Sequence, residues 1–461
     1  MAKKAKKYGS VVGIDIGSQN IKVAEIASRG REYVINALGI APTPEGLVDQ
    51  NGVYDTDTIG AVVKDLCQKS GVSVSNAVVS IAGQAAILVR TLEVPKMSES
   101  ELKQHMEWEI SRNQPFAELT AQSDYAAFEP TDPNAQNMDV IMAIAAQSAV
   151  DTIMGIGKKG GKQVVAIDVE PLAVARTLAT EFSELGNETI CVIDIGHKST
   201  SINVYRSGQL LLPRQVPTGG EAVTQAIAGS LGVSVEEAEA IKLNEGEIPA
   251  TAGADSFAPA NPFMGGETQE FQPYNPFAEE EPAPPAAEPA MSAPADAENP
   301  FAVPVDASAA DDPYGAAPTF SPFESAEPAP GAFDENGMPI DPAEHAVPVP
   351  AEGAPVPDAP SNRVYNAMAR ELDEFVAEVR RSIDYFRSKG GDVNRIFLAG
   401  GGAKLKGLDS FVSRALGVPC EKLDPTKSLA MTGKRLDMTM VEAHRPDFLI
   451  AIGNGLHIAF D

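Results

Sequence analysis

The sequence predicts an α/β protein built from two similar halves that close on a shared cleft. Residues 13–18 and 192–197 carry the same pattern, an apolar run that ends in Asp-x-Gly. An alternating stretch follows each run, as expected for a strand that returns antiparallel to the first. A third glycine turn, at residues 400–402, also follows an apolar run. A repeated hairpin with a further glycine turn indicates a duplicated fold.

In the first half, β-branched runs predict strands, and apolar residues at helical spacing predict helices. Ser98 and Glu101 form a capping-box pattern, and Pro171 suits the first turn of a helix, where its missing N–H costs nothing. Strands are expected at residues 11–16, 21–25, 78–81, 87–94, 140–146 and 164–169. Helices are expected at residues 57–69 and 98–113, from Ser148, and from Pro171.

In the second half, the same reasoning places helix starts at the glycine pair before Glu221 and at the capping residue Ser234. A long amphipathic helix is expected to end at the Gly390-Gly391 pair. Strands are expected at residues 190–195, 200–205, 209–216 and 395–399. Helices are expected from Gly219, at 235–243, at 361–389 and at 405–416, with a last ordered element at 448–459.

The charge is concentrated in one segment. The chain has 461 residues and a net charge of −28, and residues 249–360 carry 20 Asp or Glu, 24 of the 36 prolines and no Lys or Arg. Such a composition buries too little apolar surface to fold, so we expect a disordered insertion. Its repeated Pro-Phe units are either docking motifs for a multivalent partner or part of a tolerated insertion. These units end at Phe263, Phe277, Phe301 and Phe323.

Composition also restricts the partners and the compartment. The acidic balance argues against nucleic acid, whose phosphates require cations. Residues 1–10 form a basic tail without the apolar core of a signal peptide, and no run approaches the ~20 apolar residues of a membrane helix. Cys67, Cys191 and Cys420 are far apart and lack metal-site spacing. We expect a cytoplasmic protein that reaches a membrane only through partners.

The glycine turns predict a phosphate site. Gly17 and Gly196 let backbone N–H groups approach a phosphate without a Cβ in the way. Asp15 and Asp194 should face each other and hold Mg²⁺ through water, which suits this hydrated ion. Additional donors near the first turn are Ser18, Gln19, Asn20 and Lys22. A single Asp-x-Gly is more often an ordinary β-turn, whereas three glycine turns in this order favour a nucleotide site.

These motifs resemble those of a known superfamily. GIDIGS, VIDIGHKST and LAGGGAKLKGL are similar to the phosphate-1, phosphate-2 and adenosine motifs of the actin-like ATPase fold. The segments PKMSESELKQHMEWEISRNQPF and EEAEAIK narrow the resemblance to the PilM family of type IV pilus assembly proteins, relatives of the cell-division protein FtsA. The resemblance covers roughly residues 11–248 and 361–459.

The resemblance implies ATP and Mg²⁺ as ligands and assigns further residues. Glu170 matches the position of a water-orienting glutamate, although it could equally cap its helix. His197 departs from the usual small residue, and either crowds the β- and γ-phosphates or is an exposed turn residue. The residues implied to contact nucleotide are Asp15, Gly17, Ser18, Lys22, Asp194, Gly196, Thr200, Gly219, Gly220, Glu221, Glu239, Lys242, Gly400, Gly401 and Gly402.

The resemblance also implies a domain plan. The first half comprises residues 11–77 and 166–189, interrupted by an inserted 1C-type subdomain at 78–165. The second half comprises residues 190–248 and 361–461, interrupted by the acidic insertion. The family binds the N-terminal cytoplasmic peptide of PilN beside the 1C-type subdomain, where Trp108 either lines the groove or lies in the core.

The expected function is an ATP-binding scaffold, with weak or no ATPase activity, at the cytoplasmic face of the inner membrane. It would couple PilN to other platform and motor proteins of the pilus machine. Two alternatives remain open. A small-molecule kinase would need an aspartate base facing a substrate pocket. An FtsA-like filament protein would be expected to carry a C-terminal amphipathic helix, and the sequence ends without one.

Overall fold

Two sheets of the protein share one topology. The computed structural model describes residues 8–30, 32–81, 83–116, 120–128, 134–179, 184–252 and 360–459. The first sheet has the strand order β10-β6-β1-β2-β3-β16. Strands β1, β2 and β3 form an antiparallel meander, whereas β6 and β10 add to it in parallel. Its strands are β1 (Ser10–Ile16), β2 (Asn20–Arg29), β3 (Glu32–Pro42), β6 (Asn76–Ser80), β10 (Gln163–Asp168) and β16 (Ala430–Met431).

The second sheet repeats this arrangement with the order β13-β12-β11-β14-β15. Strands β11, β12 and β13 form the meander, and β14 and β15 add in parallel. Its strands are β11 (Thr189–Ile195), β12 (Thr200–Arg206), β13 (Gln209–Val216), β14 (Arg395–Ala399) and β15 (Cys420–Lys422). The predicted duplication is therefore present in the strand order itself.

Helices cover the sheets and bury their apolar stripes. In the first half, Val63 of α1 and Ile153 of α3 pack on Val12 and Ile14. In the second half, Val376 of α7 and Phe411 of α8 pack in one core with strands of the second sheet. The helices are α1 (Thr56–Ser70), α2 (Glu99–Arg112), α3 (Gln147–Lys159), α4 (Glu170–Thr177), α5 (Gly220–Leu231), α6 (Val235–Glu245), α7 (Pro360–Ser388), α8 (Leu408–Leu416), α9 (Met438–His444) and α10 (Leu449–Gly455).

A third sheet, with the order β7-β9-β8, is inserted in the chain between β6 and α3. We call this sheet and α2 the inserted subdomain. Its strands are β7 (Ile87–Pro95), β8 (Ala121–Phe128) and β9 (Asn137–Ala146), all antiparallel. Helix α2 begins with the predicted capping box, in which Ser98 and Glu101 satisfy each other's backbone N–H groups. A two-strand hairpin, β4 (Val48–Asp49) and β5 (Gly52–Val53), precedes α1.

The chain returns from the second half to the first through α10. Asn454 is fully buried and donates from Nδ2 to the carbonyl of Ile14 at 2.9 Å. Its Oδ1 accepts a hydrogen bond from Ser80 Oγ at 2.8 Å. Helix α10 is therefore fixed against β1 and β6, directly behind the first glycine turn.

Most predicted elements are confirmed, with shifts of one to a few residues at their ends. The strands at 209–216 and 395–399 begin and end where predicted. The helix expected at 405–416 was wrong at its start, because a 3₁₀ turn (Gly401–Lys404) precedes it and α8 begins at Leu408. Strands β3, β8, β15 and β16 and helix α9 were not anticipated.

Two expectations lie outside the described residues. Residues 253–359, which contain almost all of the predicted acidic insertion and its Pro-Phe units, are not described, and neither are residues 1–7 of the predicted basic tail. The domain boundaries at 11, 78, 166, 190, 249 and 361 remain predictions. Cys67, Cys191 and Cys420 are free thiols.

Gly13 tests the contact between β1 and α10. A Cβ on Gly13 would overlap the carbonyl oxygen of Ala451 and the amide nitrogen of Gly455. Both are backbone atoms, so no side-chain rotation can relieve the overlap. We expect Gly13→Ala to lower the free energy of unfolding by about 1–3 kcal/mol, the usual cost of overpacking. Urea unfolding followed by far-ultraviolet circular dichroism measures this.

Gly9→Ala is the matched control, because nothing lies within 4 Å of a Cβ at that position. It should leave the free energy of unfolding within about 0.5 kcal/mol of the parent. Equal stability of the two variants would contradict the close packing of α10 on β1.

Candidate functional site

A cavity of about 460 Å³ opens between the two halves and gathers the sequence-predicted site residues. Every one of them lines it except Glu221. The predicted residues in its wall are Asp15, Gly17, Ser18, Gln19, Asn20, Lys22, Glu170, Asp194, Gly196, Thr200, Gly219, Gly220, Glu239, Lys242, Gly400, Gly401 and Gly402. Segments that are up to 387 residues apart in the chain, as Asp15 and Gly402 are, therefore meet around one space.

The two Asp-x-Gly turns have matching geometry. Gly17 donates from its amide to the carbonyl of Asn20 at 3.1 Å, and Gly196 donates to the carbonyl of Ser199 at 3.0 Å. A Cβ would lie 2.9 Å from the Asn20 oxygen in the first turn and 2.8 Å from the Ser199 oxygen in the second. Both turns therefore require glycine and hold their remaining loop residues toward the cavity.

The third glycine turn packs directly onto the second hairpin. A Cβ on Gly400 would overlap the Asp194 carboxylate, and one on Gly402 would overlap the Ile195 side chain. Gly400 also has a φ of +79°, which favours glycine. The absence of side chains lets this turn lie against β11 and form the cavity wall beside Asp194.

Three carboxylates face one another in the cavity. Asp15 is buried and forms an ion pair with Lys22, with 3.0 Å between Oδ2 and Nζ. Burial, and then the nearby charge of Asp15, raise the pKa of Asp194 to about 7. Burial, Asp15 and Asp194 raise the pKa of Glu170 to about 8. Glu170 therefore keeps its proton at neutral pH, mainly because it is buried.

Lys22 supplies positive charge to this group. Burial alone would lower the pKa of its ammonium, but the attraction of Asp15 outweighs burial and the pKa is raised. Lys22 therefore stays charged in the cavity.

Glu170 lines the cavity and contacts the opposite half. It is the first residue of α4, yet that helix has no side-chain capping hydrogen bond. Its Oε2 instead accepts a hydrogen bond from Ser201 Oγ, on the opposite half, at 3.3 Å. Both sequence interpretations of Glu170 remain predictions, because it is the acidic residue in the first turn of α4 and also lines the cavity.

Glu239 and Lys242 form a closed network at the start of α5. The Lys242 ammonium donates to the carbonyl of Gly220 at 3.1 Å, to Thr224 Oγ1 at 2.7 Å and to Glu239 Oε2 at 2.7 Å. All three of its N–H donors are therefore engaged within the protein. Lys242 lines the cavity, as predicted, but its bonds serve to fix α6 against α5.

His197 is not an exposed turn residue. Its side chain is 21% exposed, it lines the cavity, and its Nε2 lies 3.8 Å from Glu221 Oε1. Burial lowers the pKa of the imidazole. A neutral ring therefore lies beside Gly196, at a position where the resemblance predicts a small residue. Glu221 does not line the cavity, but it contacts His197, which does.

Several cavity residues were missed by the sequence analysis. Lys404 donates to Asp447 Oδ2 at 2.9 Å, and His444 Nδ1 lies 3.0 Å from the same oxygen. Burial would raise the pKa of Asp447, but its hydrogen bonds with His444 and Lys404 lower it. This pair joins the third glycine turn to the segment before α10. Ser201 and the apolar residues Leu243, Phe375 and Leu405 were also missed.

The carboxylates fit a hydrated magnesium ion better than a dehydrated one. Among the residues that the structure describes, no three His, Cys, Asp or Glu side chains are placed to hold a metal together. Mg²⁺ commonly keeps several waters and binds through one or two carboxylates plus phosphate oxygens. Asp15 and Asp194, buried or lining the cavity beside Lys22, match that mode.

Comparison with known proteins identifies the family. The sequence profile described as "Type IV pilus assembly protein PilM" matches residues 13–268, more than half of the chain. The chain belongs to the PilM family. The FtsA profile matches residues 191–453, so the two matches together span both halves.

Curated relatives of this PilM-family chain include FtsA proteins. FtsA of Bacillus subtilis strain 168 is 24% identical over 254 residues, which are 50% of this chain and 57% of that protein. FtsA of Neisseria meningitidis serogroup B is 26% identical over 263 residues, 52% of this chain and 62% of that protein. The chain therefore spans less than two thirds of the relatives that it matches.

A solved structure shows the same fold. The chain superimposes on one described as a PilM–PilN type IV pilus biogenesis complex with a TM-score of 0.67 and 22% identity, covering 98% of this chain and 99% of the other. The predicted actin-like architecture is thereby confirmed. Within the described residues, no helix is both long and apolar enough to cross a membrane.

Glu170→Gln tests the protonated carboxylate. The folded protein keeps a proton on Glu170 up to about pH 8, whereas the unfolded chain releases it near the ordinary pKa of 4.5. The folded state therefore binds more protons in this window, and its contribution to the free energy of unfolding falls as pH rises. We expect Glu170→Gln to raise the melting temperature more at pH 8.5 than at pH 5.5.

Thermal melts of the nucleotide-free protein at the two pH values measure this difference. Glu371→Gln is the control, because it removes a carboxylate from the same cavity but outside the Asp15, Asp194 and Glu170 group. A shift in melting temperature that is the same at both pH values for Glu170→Gln would rule out the protonated carboxylate.

Proposed function

We propose that this PilM-family protein is an ATP-binding scaffold of the type IV pilus assembly platform. It would lie at the cytoplasmic face of the inner membrane, bind the N-terminal peptide of PilN and couple it to motor components. The observation that carries the proposal is the convergence of two Asp-x-Gly turns and a triple-glycine turn on one cavity between the halves.

The polar end of the cavity suits a polyphosphate. The two glycine turns offer backbone donors, Ser18 offers a hydroxyl group, and Lys22 offers a charged donor. Mg²⁺ would be held by Asp15 and Asp194 through water, where it neutralises phosphate charge. The cation would also lower the pKa of neighbouring carboxylates, which releases protons when the metal nucleotide binds.

The other end of the cavity suits a nucleoside. Leu243, Phe375 and Leu405 line it from α6, α7 and the segment after the third glycine turn. A pocket of this size with an apolar wall and a few convergent polar groups is typical of small-ligand sites. A mononucleotide, with an apolar base at one end and charged phosphates at the other, matches this division.

Nucleotide binding would fix the angle between the halves. The first glycine turn belongs to one half and the second to the other, so a triphosphate that contacts both binds the closed arrangement more tightly. Hydrolysis additionally requires a positioned water. Glu170 is the candidate for that role, but it holds a proton in the nucleotide-free site, and His197 occupies space beside the second turn. These features support slow turnover or none.

Asp15→Ala and Asp194→Ala test the nucleotide site. Each removes a carboxylate that would hold hydrated Mg²⁺, so we expect Mg-ATP affinity to fall by about 10- to 100-fold or more, with circular dichroism unchanged. Isothermal titration calorimetry with Mg-ATP measures the loss.

Asp65→Ala is the matched control, because Asp65 is exposed on α1, forms an ion pair with Lys69 and does not line the cavity. It should bind Mg-ATP like the parent protein. Retention of parental affinity by both cavity variants would place the nucleotide elsewhere.

The inserted subdomain offers a surface for a peptide partner. Trp108 on α2 is 55% exposed, so the interpretation that it lies in the core is wrong. The Arg112 guanidinium carbon lies 5.2 Å from the centre of its ring, which holds the indole at the surface. Tryptophan and arginine are enriched among residues that dominate binding energy, which supports this face as the PilN contact.

Titration with the PilN N-terminal peptide tests the scaffold role, with and without Mg-ATP. We expect Trp108→Ala to weaken binding by about 2 kcal/mol, which is roughly a 30-fold rise in Kd. Tyr385→Ala is the control, since Tyr385 is 46% exposed on α7 of the second half. No binding of the parent protein in either nucleotide state would remove the scaffold assignment.

A further inference from the structure

The second glycine turn carries a histidine that backbone contacts hold in the cavity wall. The Gly220 amide donates to the carbonyl of Gly196 at 2.9 Å, and the Glu221 amide donates to the carbonyl of His197 at 2.9 Å. A Cβ on Gly219 would overlap both of these carbonyl oxygens. The start of α5 therefore packs tightly on the turn, which fixes the point from which the His197 side chain lines the cavity.

The imidazole of His197 is surrounded by charges of both signs. Glu221 on α5 has its Oε1 3.8 Å from the ring Nε2, and Glu239 on α6 adds a second negative charge. Lys242 on α6 and Lys198 in the turn itself supply the positive charges. Burial is the largest influence and lowers the pKa of His197, the two lysines lower it further, and the two glutamates oppose them. The ring is therefore mostly neutral at pH 7 in the nucleotide-free site.

Three lysine ammonium groups of the cavity wall are already paired with carboxylates. The pairs, each with its nitrogen and oxygen within 3.0 Å, are Lys22 with Asp15, Lys242 with Glu239, and Lys404 with Asp447. A polyphosphate that enters the cavity adds negative charge, which these internally balanced pairs compensate only in part. His197 can add one positive charge without breaking any of the three pairs, because an imidazole accepts a proton near neutral pH.

We propose that His197 takes up a proton from solvent when the phosphates of a nucleotide enter the cavity, and thereby becomes a charged phosphate contact. This inference rests on the proposed ATP site and adds a regulation of that site by pH. The ring directly follows Gly196, where the proposed site places phosphate. A negative charge within ~4–6 Å of an imidazole raises its pKa by about one to three units. The proton adds to the unprotonated nitrogen of the neutral ring, and no other bond changes.

The proton and the nucleotide then favour each other's binding. By linkage, the factor by which the nucleotide raises the proton affinity of His197 equals the factor by which the proton raises nucleotide affinity. Because the pKa of the ring is higher with nucleotide than without, the gain is complete below the nucleotide-free pKa. It is lost as pH rises through the nucleotide-bound pKa. The carboxylates near Mg²⁺ act in the opposite direction, since they release protons when the metal nucleotide binds. A comparison of variants isolates the contribution of His197.

Proton–carbon NMR of the full chain, labelled at the Cε1 atom of histidine, follows the charge of the ring directly. The chain has five histidines, and the signal that is absent from His197→Gln identifies His197. We expect Mg-ATP to raise the pKa measured from this signal by about one unit or more. Adenosine, which has no phosphates, should leave this pKa unchanged, and an equal rise with adenosine would overturn the phosphate contact.

Calorimetric titration with Mg-ATP at pH 5.5 and pH 8.5 measures the consequence for affinity. His197→Gln keeps a neutral side chain at both pH values, whereas His197→Lys keeps a charged one. The affinity of the parent relative to His197→Gln should be higher at pH 5.5 than at pH 8.5 by about fivefold or more, the lower end of typical coupling. At pH 8.5, His197→Lys should bind Mg-ATP more tightly than His197→Gln.

His105→Gln is the matched control, because it makes the same chemical change on α2 and His105 does not line the cavity. It should bind Mg-ATP like the parent at both pH values. Circular dichroism checks the fold of each variant. If His197→Gln folds poorly, the signal that is absent from His197→Lys gives the same NMR assignment, and the titration of the parent decides.

The outcomes distinguish the two proposals. If Mg-ATP binds the parent but leaves the pKa of His197 unchanged, the proton uptake is overturned and the ATP site stands. The proton uptake is also overturned if the parent and a folded His197→Gln show the same dependence of affinity on pH. If Mg-ATP does not bind the parent at either pH, the ATP site itself is overturned, and the proton uptake with it.

Discussion

The concentration of buried carboxylates in one cleft is the constraint on which the rest of the structure depends. Asp15, Asp194 and Glu170 face one another, and Lys22 supplies an ammonium within 3.0 Å of Asp15. Charges of one sign in a low-dielectric space are costly unless they are neutralised. The nucleotide-free protein neutralises them with protons and one ion pair. Under the proposed function, a bound divalent cation would neutralise them more fully.

The duplicated architecture could be predicted because its signals are local. The Asp-x-Gly turns at Gly17 and Gly196 each follow a buried strand, and each has a position that only glycine can occupy. Both features are visible in the sequence. Strand β3 could also have been inferred, because the repeat requires an equivalent of β13 after β2. Its run of Val34, Ile35 and Leu38 supports that assignment. The sequence analysis overlooked β3 because it did not apply the internal repeat to the segment after β2.

The remaining parts of the site depend on contacts between distant segments. Lys404 and Asp447 are 43 residues apart, and nothing local indicates that the third glycine turn meets the segment before α10. The hydrogen bond between Ser201 and Glu170 joins the two halves, so neither half alone predicts it. The position of Lys242 in the site was predicted from the sequence. Its three hydrogen-bond partners were not, because they depend on the packing of α6 on α5.

The exposure of Trp108 has a practical consequence for spectroscopy. It is the single tryptophan of the chain, and it stands at the surface of α2 beside Arg112. Its intrinsic fluorescence therefore depends on the solvent around the inserted subdomain and is insensitive to changes in the cores of the two halves. Emission from the folded protein should already be red-shifted, and a blue shift would signal that another molecule has covered this helix.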